Sequence, residues 1–226
     1  MLSVSNLTKT YQEGDREVQA VRDVNFGGEP GEFIAIVGPS GSGKTTTLAM
    51  LGGLLTPTNG SINLNGREIT ELSPRELTEY RRLSVGYVFQ ANNLLPFLTV
   101  RENLLVMSWI GARKDEGKPR ADQLIEELGL SHRADALATQ LSGGERQRVA
   151  IGRALMNDPE IVLVDEPTAN LDSVRGRQVV EMLVRETKDR NKLTIMVTHD
   201  LDMAALADHI YEMHDGVLTP SHASAA

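Results

Sequence analysis

The chain has 226 residues, 40% apolar and 24% charged, enough for one sizeable core or a core with a small subdomain. Its formal charge of −8, from 23 basic and 31 acidic residues, argues against a nucleic-acid binder, and the lack of cysteine rules out disulfides and thiol metal sites. The first residues, Met1-Leu2-Ser3-Val4-Ser5-Asn6, lack the basic-then-apolar layout of a secretion signal. The strongest apolar runs are too short to span a bilayer, so any membrane role is expected to come through a partner.

In chain order, Phe26-Gly27-Gly28-Glu29-Pro30 reads as an early end to the first sheet segment. Phe33-Ile34-Ala35-Ile36-Val37 is a continuous apolar run, expected of a strand buried on both faces of a mostly parallel sheet. The segment Gly38-Pro39-Ser40-Gly41-Ser42-Gly43-Lys44-Thr45 follows it, and then a helix is predicted to carry Leu48, Leu51 and Leu54. Pro57-Thr58-Asn59-Gly60 reads as a turn, Ile62 and Leu64 as the inward positions of a half-exposed strand, and Val85–Phe89 as another strand. Ser73-Pro74-Arg75-Glu76 joins a capping box to a proline at the first helical position. Residues 91–157 are richer in helix signals: Thr99 with Glu102 forms a capping-box pattern, and Gly129 sits where a C-terminal cap belongs. Strands return at Ile161–Asp165 and Leu193–Thr198, with a helix from about Ser173 between them. Residues from Ser221 onward read as a frayed tail. The expected fold class is α/β, a core over 1–90 and 158–220 interrupted by a helical subdomain over about 91–157.

Two segments carry chemistry on their own terms. Gly38–Thr45 fits the phosphate-loop pattern G-x-x-x-x-G-K-[ST] throughout. The glycines let the backbone turn its N–H groups toward phosphate oxygens, and the following helix adds its positive end. Lys44 is placed for the β- and γ-phosphates, the Thr45 hydroxyl for Mg²⁺, and Thr46 follows in the same first turn. Ile161-Val162-Leu163-Val164-Asp165-Glu166 is an apolar strand ending in two carboxylates at the edge where α/β ligands bind. With a phosphate loop present, Asp165 is expected to hold Mg²⁺ and Glu166 to act as general base. Taken alone, such a pair is a solvated loop or a helix cap.

Leu141-Ser142-Gly143-Gly144-Glu145-Arg146-Gln147 adds a family. It resembles the LSGGQ-type signature of ATP-binding-cassette (ABC) ATPases, with Glu145 and Arg146 as variants, and the resemblance covers nearly the whole chain in the family's motif order. It implies a P-loop NTPase core of ABC type, with an antiparallel β segment and an inserted helical subdomain. Ser142 and Glu145 also read as a capping box, and Gly143 and Gly144 leave backbone N–H groups uncovered at that helix start. In the family this second cradle binds the γ-phosphate of ATP held by the opposite subunit. By match, Tyr11 takes the place of the aromatic that stacks on adenine, against the alternative of an ordinary core or surface tyrosine. Gln90 resembles the glutamine that meets Mg²⁺ and the attacking water, and His199 resembles the histidine that contacts the γ-phosphate. Ala169-Asn170-Leu171-Asp172 matches the family's D-loop apart from Asn170, and Asp172 is also placed to cap the next helix. The remaining four histidines match no motif.

One phosphate loop and one signature per chain imply a homodimer closed around two ATP, with Mg²⁺, and carried by integral-membrane permease subunits, two of them on the simplest arrangement. The resemblance places the chain at the cytoplasmic face of the membrane, held there by the permease. Ala91–Val100 is apolar for a connection, either subdomain core or the groove that receives a permease helix. Leu51-Gly52-Gly53-Leu54 and Phe89–Pro96 look like the branch of macrolide exporters, lipoprotein-release complexes and haem exporters, and Leu94–Leu98 reads closest to the haem-efflux ATPases. Export of a hydrophobic cargo is the expectation. The competing readings are a cell-division-type complex in which hydrolysis signals without transport, and a soluble cassette of nucleic-acid metabolism. The compact insertion and acidic balance speak against the second.

Overall fold

The computed structural model describes residues 1–14, 16–111 and 116–221; of the tail, residues 222–226, His222 among them, lie outside the described residues. Two sheets organise the chain. The first is antiparallel, in the order β2-β1-β4-β5, from β1 (Leu2–Glu13), β2 (Arg16–Gly28), β4 (Asn59–Leu64) and β5 (Arg67–Glu68). The second has the order β10-β9-β3-β8-β7-β6, from β3 (Phe33–Val37), β6 (Val85–Val88), β7 (Ile161–Asp165), β8 (Leu193–Thr198), β9 (His209–His214) and β10 (Val217–Pro220). All its pairings are parallel except β9 with β10.

The helices follow the sequence signals closely. α1 is Lys44–Leu51, α2 Pro74–Leu83, α3 Val100–Ile110, α4 Gly117–Glu127, α5 Gly143–Leu155, α6 Ser173–Asp189 and α7 Leu201–Ala204. Reciprocal capping boxes start α2 (Ser73 with Glu76), α3 (Thr99 with Glu102) and α5 (Ser142 with Glu145), each satisfying two otherwise unpaired N–H groups. Asp172 caps α6 by accepting from the Arg175 N–H at 3.0 Å. Gly129, at φ +66°, follows α4 as its left-handed terminator. α3, α4 and α5 stand consecutively between β6 and β7 and pack on one another.

The central strands are buried on both faces. Phe33, Ala35 and Val37 point into one core with α3–α6, whereas Ile34 and Ile36 point into the other with β1, β2 and α1. Fully burying a side chain of this size is worth about 1.5–3 kcal/mol, so the apolar runs of β3, β7 and β8 are satisfied only as interior strands.

Four local readings are corrected. Gly27 and Gly28 do not end the first sheet segment: they pair with Ser3 and Leu2 inside β2. Gly28 is small because a Cβ there would lie 2.8 Å from both Ile34 Cδ1 and Leu193 Cδ1, where β2 crosses the second sheet. Asn59 and Gly60 already belong to β4 rather than to a turn. α1 stops at Leu51, with Gly53 at φ +62°, so Leu54 leaves the helix and is exposed. β6 ends at Val88, one residue before Phe89, whose ring stacks on Tyr87 at 4.2 Å.

Gly86 fixes the approach of α5 to β6: an added Cβ would sit 2.5 Å from the Ala154 carbonyl oxygen. Gly86→Ala is therefore expected to destabilise the fold by about 2–3 kcal/mol through backbone displacement. Gly66→Ala, where nothing lies within 4 Å and only the φ of +81° is strained, should cost about 1–2 kcal/mol. Urea unfolding of the two variants checks the order.

Candidate active site

Four strands of the second sheet deliver their following residues to one edge. β3 leads into the loop Gly38–Gly43, β7 ends at Asp165 with Glu166 next, β8 is followed by His199, and β6 is followed within two residues by Gln90. A cavity of about 290 Å³ at that edge is lined by Ser40, Gly41, Gly43, Lys44, Thr45, Thr46, Gln90, Glu166, His199 and Ala20. Ala20 has no signal in the sequence; it arrives because β2 crosses the loop.

The loop is held in a shape that only glycine tolerates at its two ends. Gly38 has φ +153° and Gly43 φ +107°, and added Cβ atoms would lie 2.1 Å from the Met213 carbonyl oxygen and 2.3 Å from that of Ala20. Within α1 the first backbone N–H used by the helix is that of Thr47, bonded to Gly43 O at 2.9 Å, which leaves the preceding turn's donors for an anion. Lys44 is buried and its Nζ donates to the carbonyls of Gly38 and Pro39 at 2.7 and 2.9 Å. Burial pushes the Lys44 pKa down, opposed by the charges of Glu166 and Asp165. Ser42 Oγ is buried inside the loop without a hydrogen-bond partner among the described residues.

Across the cavity, Thr45 Oγ1 donates to Asp165 Oδ1 at 3.2 Å, joining the start of α1 to the end of β7. Burial raises the Asp165 pKa, and Glu166 beside it adds to the effect, whereas the Thr45 hydroxyl and Lys44 oppose it. Glu166 has φ +44°, a left-handed conformation uncommon for a side chain of this kind. Its N–H donates to Val197 O at 3.0 Å, which pins the strained residue between β7 and β8. Glu166 Oε2 lies 3.0 Å from His199 Nδ1 and accepts from Thr198 Oγ1 at 3.4 Å.

The other predicted residues stand elsewhere. Tyr11 lies on β1 opposite Val18, partly exposed, with Lys9 Nζ 5.4 Å from its ring centre. Ser142, Gly144, Glu145 and Asp172 do not line the Lys44 cavity. Gly143 instead borders a second, polar cavity of about 310 Å³ shared with Asn92, Arg146, Gln147, Asn170 and Gln90, which lines both cavities. The predicted phosphate-binding groups thus fall into two sets, one at the loop Gly38–Thr46 and a smaller one at the start of α5.

Residues 21–169 match the family model described as ABC transporter. This chain belongs to the ABC transporter family. It is 43% identical to a protein of Staphylococcus haemolyticus named as the hemin import ATP-binding protein HrtA, over 95% of this chain and 97% of that one. It is 45% identical to the lipoprotein-releasing system ATP-binding protein LolD 1 of Rhodopirellula baltica, over 96% of each. Among solved structures it superposes on the dimeric post-hydrolysis state of the ATP-binding cassette MJ0796 bound to ADP and Pi, at 37% identity and a TM-score of 0.88 over 98% of both chains. The fold is that of an ABC ATPase, and the chain is an ATP-binding, ATP-hydrolysing cassette.

Two further features of this ABC ATPase escape a reading of its motifs. One is a largely apolar groove of about 360 Å³ lined by Gly52, Leu54, Tyr87, Phe89, Leu95 and Val106 among others. Asn93 and Leu95 fall in the stretch Ala91–Val100 singled out from sequence, and the rest come from β6, α2, α3, α5 and the residues after α1. The other is Arg153 of α5, whose guanidinium donates to the carbonyls of Asn92 and Asn93 at 2.8 and 2.6 Å. Burial lowers its pKa without removing its charge. It fastens the connection after Gln90 to the helix that Ser142 begins. The only sequence hint is its spacing of seven from Arg146, two turns along the same helix.

At the start of α5 the Glu145 carboxylate accepts from the Ser142 N–H at 2.7 Å and from Arg133 Nε at 3.1 Å. Chiefly through the Ser142 backbone bond, its pKa is pushed down from 4.5 to about 2. A depressed carboxylate stabilises the fold above its unfolded pKa and loses that contribution as pH falls through its folded one. The stability difference between the native chain and Glu145→Gln, which keeps the cap but cannot ionise, should therefore be largest near neutrality and shrink between about pH 4.5 and about pH 2. Urea midpoints across that range test it.

Proposed function

We propose that two copies of this cassette close on two ATP molecules and drive an integral-membrane permease that moves a hydrophobic cargo outward. The observation that carries the reading is the separation of the groups. Lys44, Thr45, Gln90, Glu166 and His199 line one cavity, while the capped helix start at Ser142–Glu145 lies outside it. A two-fold arrangement presents the second set to the first without any change within the chain. The dimeric cassette at 37% identity supports this assembly.

In the proposed site Lys44 leaves the carbonyls of Gly38 and Pro39 for the β- and γ-phosphates. The loop and the first turn of α1, from Ser40 to Thr46, cradle the phosphate chain. Tyr11 stacks on the adenine face. The hydroxyl of Thr45, the carboxylate of Asp165 and the amide oxygen of Gln90 form a hard-oxygen set that suits Mg²⁺. Phosphate oxygens of the nucleotide would complete the shell around that set. When bound, the ion supplies charge neutralisation on the phosphates. Glu166 takes the proton of the attacking water as its oxygen bonds to the γ-phosphorus, and the ADP oxygen leaves opposite. His199, 3.0 Å from Glu166, orients that carboxylate and meets the γ-phosphate. Ser142, Gly143 and Gly144 of the other copy donate to the same phosphate, and Asp172 holds the neighbouring D-loop at the seam.

The permease is proposed to seat a helix in the groove between Leu54, Phe89 and Val106, with the cassette peripheral to the membrane and a permease subunit on each copy. Among the described residues no helix is long and apolar enough to cross a membrane. The outward direction is supported by the lipoprotein-releasing relative, and haem as a cargo by the name of the Staphylococcus haemolyticus relative, although that name specifies import. A signalling complex without transport would use the same groove and the same hydrolysis.

Glu166→Gln should reduce hydrolysis at least a hundredfold while an ATP-bound dimer accumulates, as read by phosphate release and analytical ultracentrifugation. Ser142→Arg should block that dimer and spare nucleotide binding to the monomer; normal hydrolysis by this variant would remove the two-copy site. Leu54→Asp, at an exposed position of the groove, should lose integral-membrane proteins from detergent extracts while keeping ATP-driven dimerisation. Unchanged co-purification would place the partner elsewhere.

A further inference from the structure

Glu145 is well placed for the fold but awkwardly placed for the proposed closure. It occupies the first turn of α5, beside the N–H groups that the proposed closure presses against a phosphate of the other copy. Like charges within about 15 Å repel by about 1 kcal/mol or more once partly shielded from water. The group is anionic across the working pH range, since its pKa is about 2, and it is only 11% exposed.

The local field is set by a few groups. Arg133, from the 3₁₀ turn Ser131–Arg133, donates from Nε to Glu145 Oε1 at 3.1 Å. His132 Nε2 lies 3.6 Å from the same oxygen. The other carboxylate oxygen accepts from the Ser142 N–H. Arg146 is turned back onto the Leu141 carbonyl, and Arg175 lies 3.4 Å from Asp172 Oδ2. Among the described residues Arg133 is the one side chain with a permanent positive charge bonded to Glu145.

We propose that Arg133 is a positioning residue for the ATP of the opposite copy: by bonding Glu145 Oε1 it cancels the carboxylate's charge and holds it against the Ser142 N–H, so that Gly143 and Gly144 meet the incoming phosphate without net repulsion. The inference rests on the two-copy reading of the site. It requires nothing of the monomer's own nucleotide pocket, which Arg133 does not line.

The test compares Arg133→Gln, Arg133→Lys, Glu145→Gln and the double variant Arg133→Gln/Glu145→Gln, using the full chain. Arg133 is 43% exposed, so its substitutions leave the core untouched, and Glu145→Gln keeps the size and cap of the buried side chain it replaces. Arg133→Gln should raise KM for ATP in hydrolysis about tenfold, with a smaller change in kcat. In the Glu166→Gln background it should weaken ATP-driven dimerisation by a similar factor. Binding of a fluorescent ATP analogue to the monomer should stay the same. Arg133→Lys should retain most function. Adding Glu145→Gln should restore KM, because glutamine keeps the cap and removes the charge. A double variant as impaired as Arg133→Gln, or a wild-type KM in Arg133→Gln, would overturn the proposal. Failure of the two-copy reading shows separately, as normal hydrolysis by Ser142→Arg.

Discussion

Parallel pairing in the second sheet is the constraint on which the site depends. β3 lies between β8 and β9, and β7 between β8 and β6, all running the same way. Parallel strands must each be followed by a return across the sheet, so their C-terminal ends, and whatever residue comes next, share one edge. That is why Lys44, Glu166, His199 and Gln90, spread over more than a hundred residues of sequence, meet around one cavity. The pairing in turn requires strands that can be buried on both faces, as β3, β7 and β8 are along their whole lengths.

Within that frame the site stores strain and compensates for it locally. Gly38 and Gly43 bring the loop against the carbonyls of Met213 and Ala20. Glu166 is held in a left-handed conformation by its bond to Val197 and by the short turn from Glu166 to Ala169. Its carboxylate is thereby aimed across the cavity at His199. Lys44, Asp165 and Glu166 form a mixed-charge cluster in which burial disfavours the charged forms of Lys44 and Asp165, and the attraction between these two opposite charges restores part of the loss. A phosphate chain entering such a cluster rearranges bonds that already exist and does not have to create an ionic site in an apolar wall.

Much of this is legible in the chain itself. Capping boxes at Ser73, Thr99 and Ser142 are local chemistry, and the folded helices start there. The alternating and continuous apolar runs name the strands for the same reason. What stays hidden is long-range approach. Gly27 and Gly28 read as a break, because sequence does not reveal that Ile34 and Leu193 pass beside them. Ala20 gives no sign of bordering the phosphate loop. The groove at Leu54 and Phe89 is assembled from β6, α3 and the residues after α1, so a single apolar stretch could point only at part of it. Arg153 is similarly silent, since its partners are backbone carbonyls, which carry no identity in sequence.

Arg153 also has a mechanical meaning. α5 is 13 residues long, a rod of about 20 Å, with the Ser142 cap at one end and the Arg153 clamp near the other. The clamped carbonyls belong to the same connection that carries Gln90 on one side and the groove residue Leu95 on the other. On the two-copy closure proposed above, the cap of one rod would touch the nucleotide of the other protomer. A push on one groove would then travel along its rod to the neighbour's fuel, and would reach its own through Gln90. On that proposal the linkage is crossed, and each groove would sense its neighbour's ATP before its own.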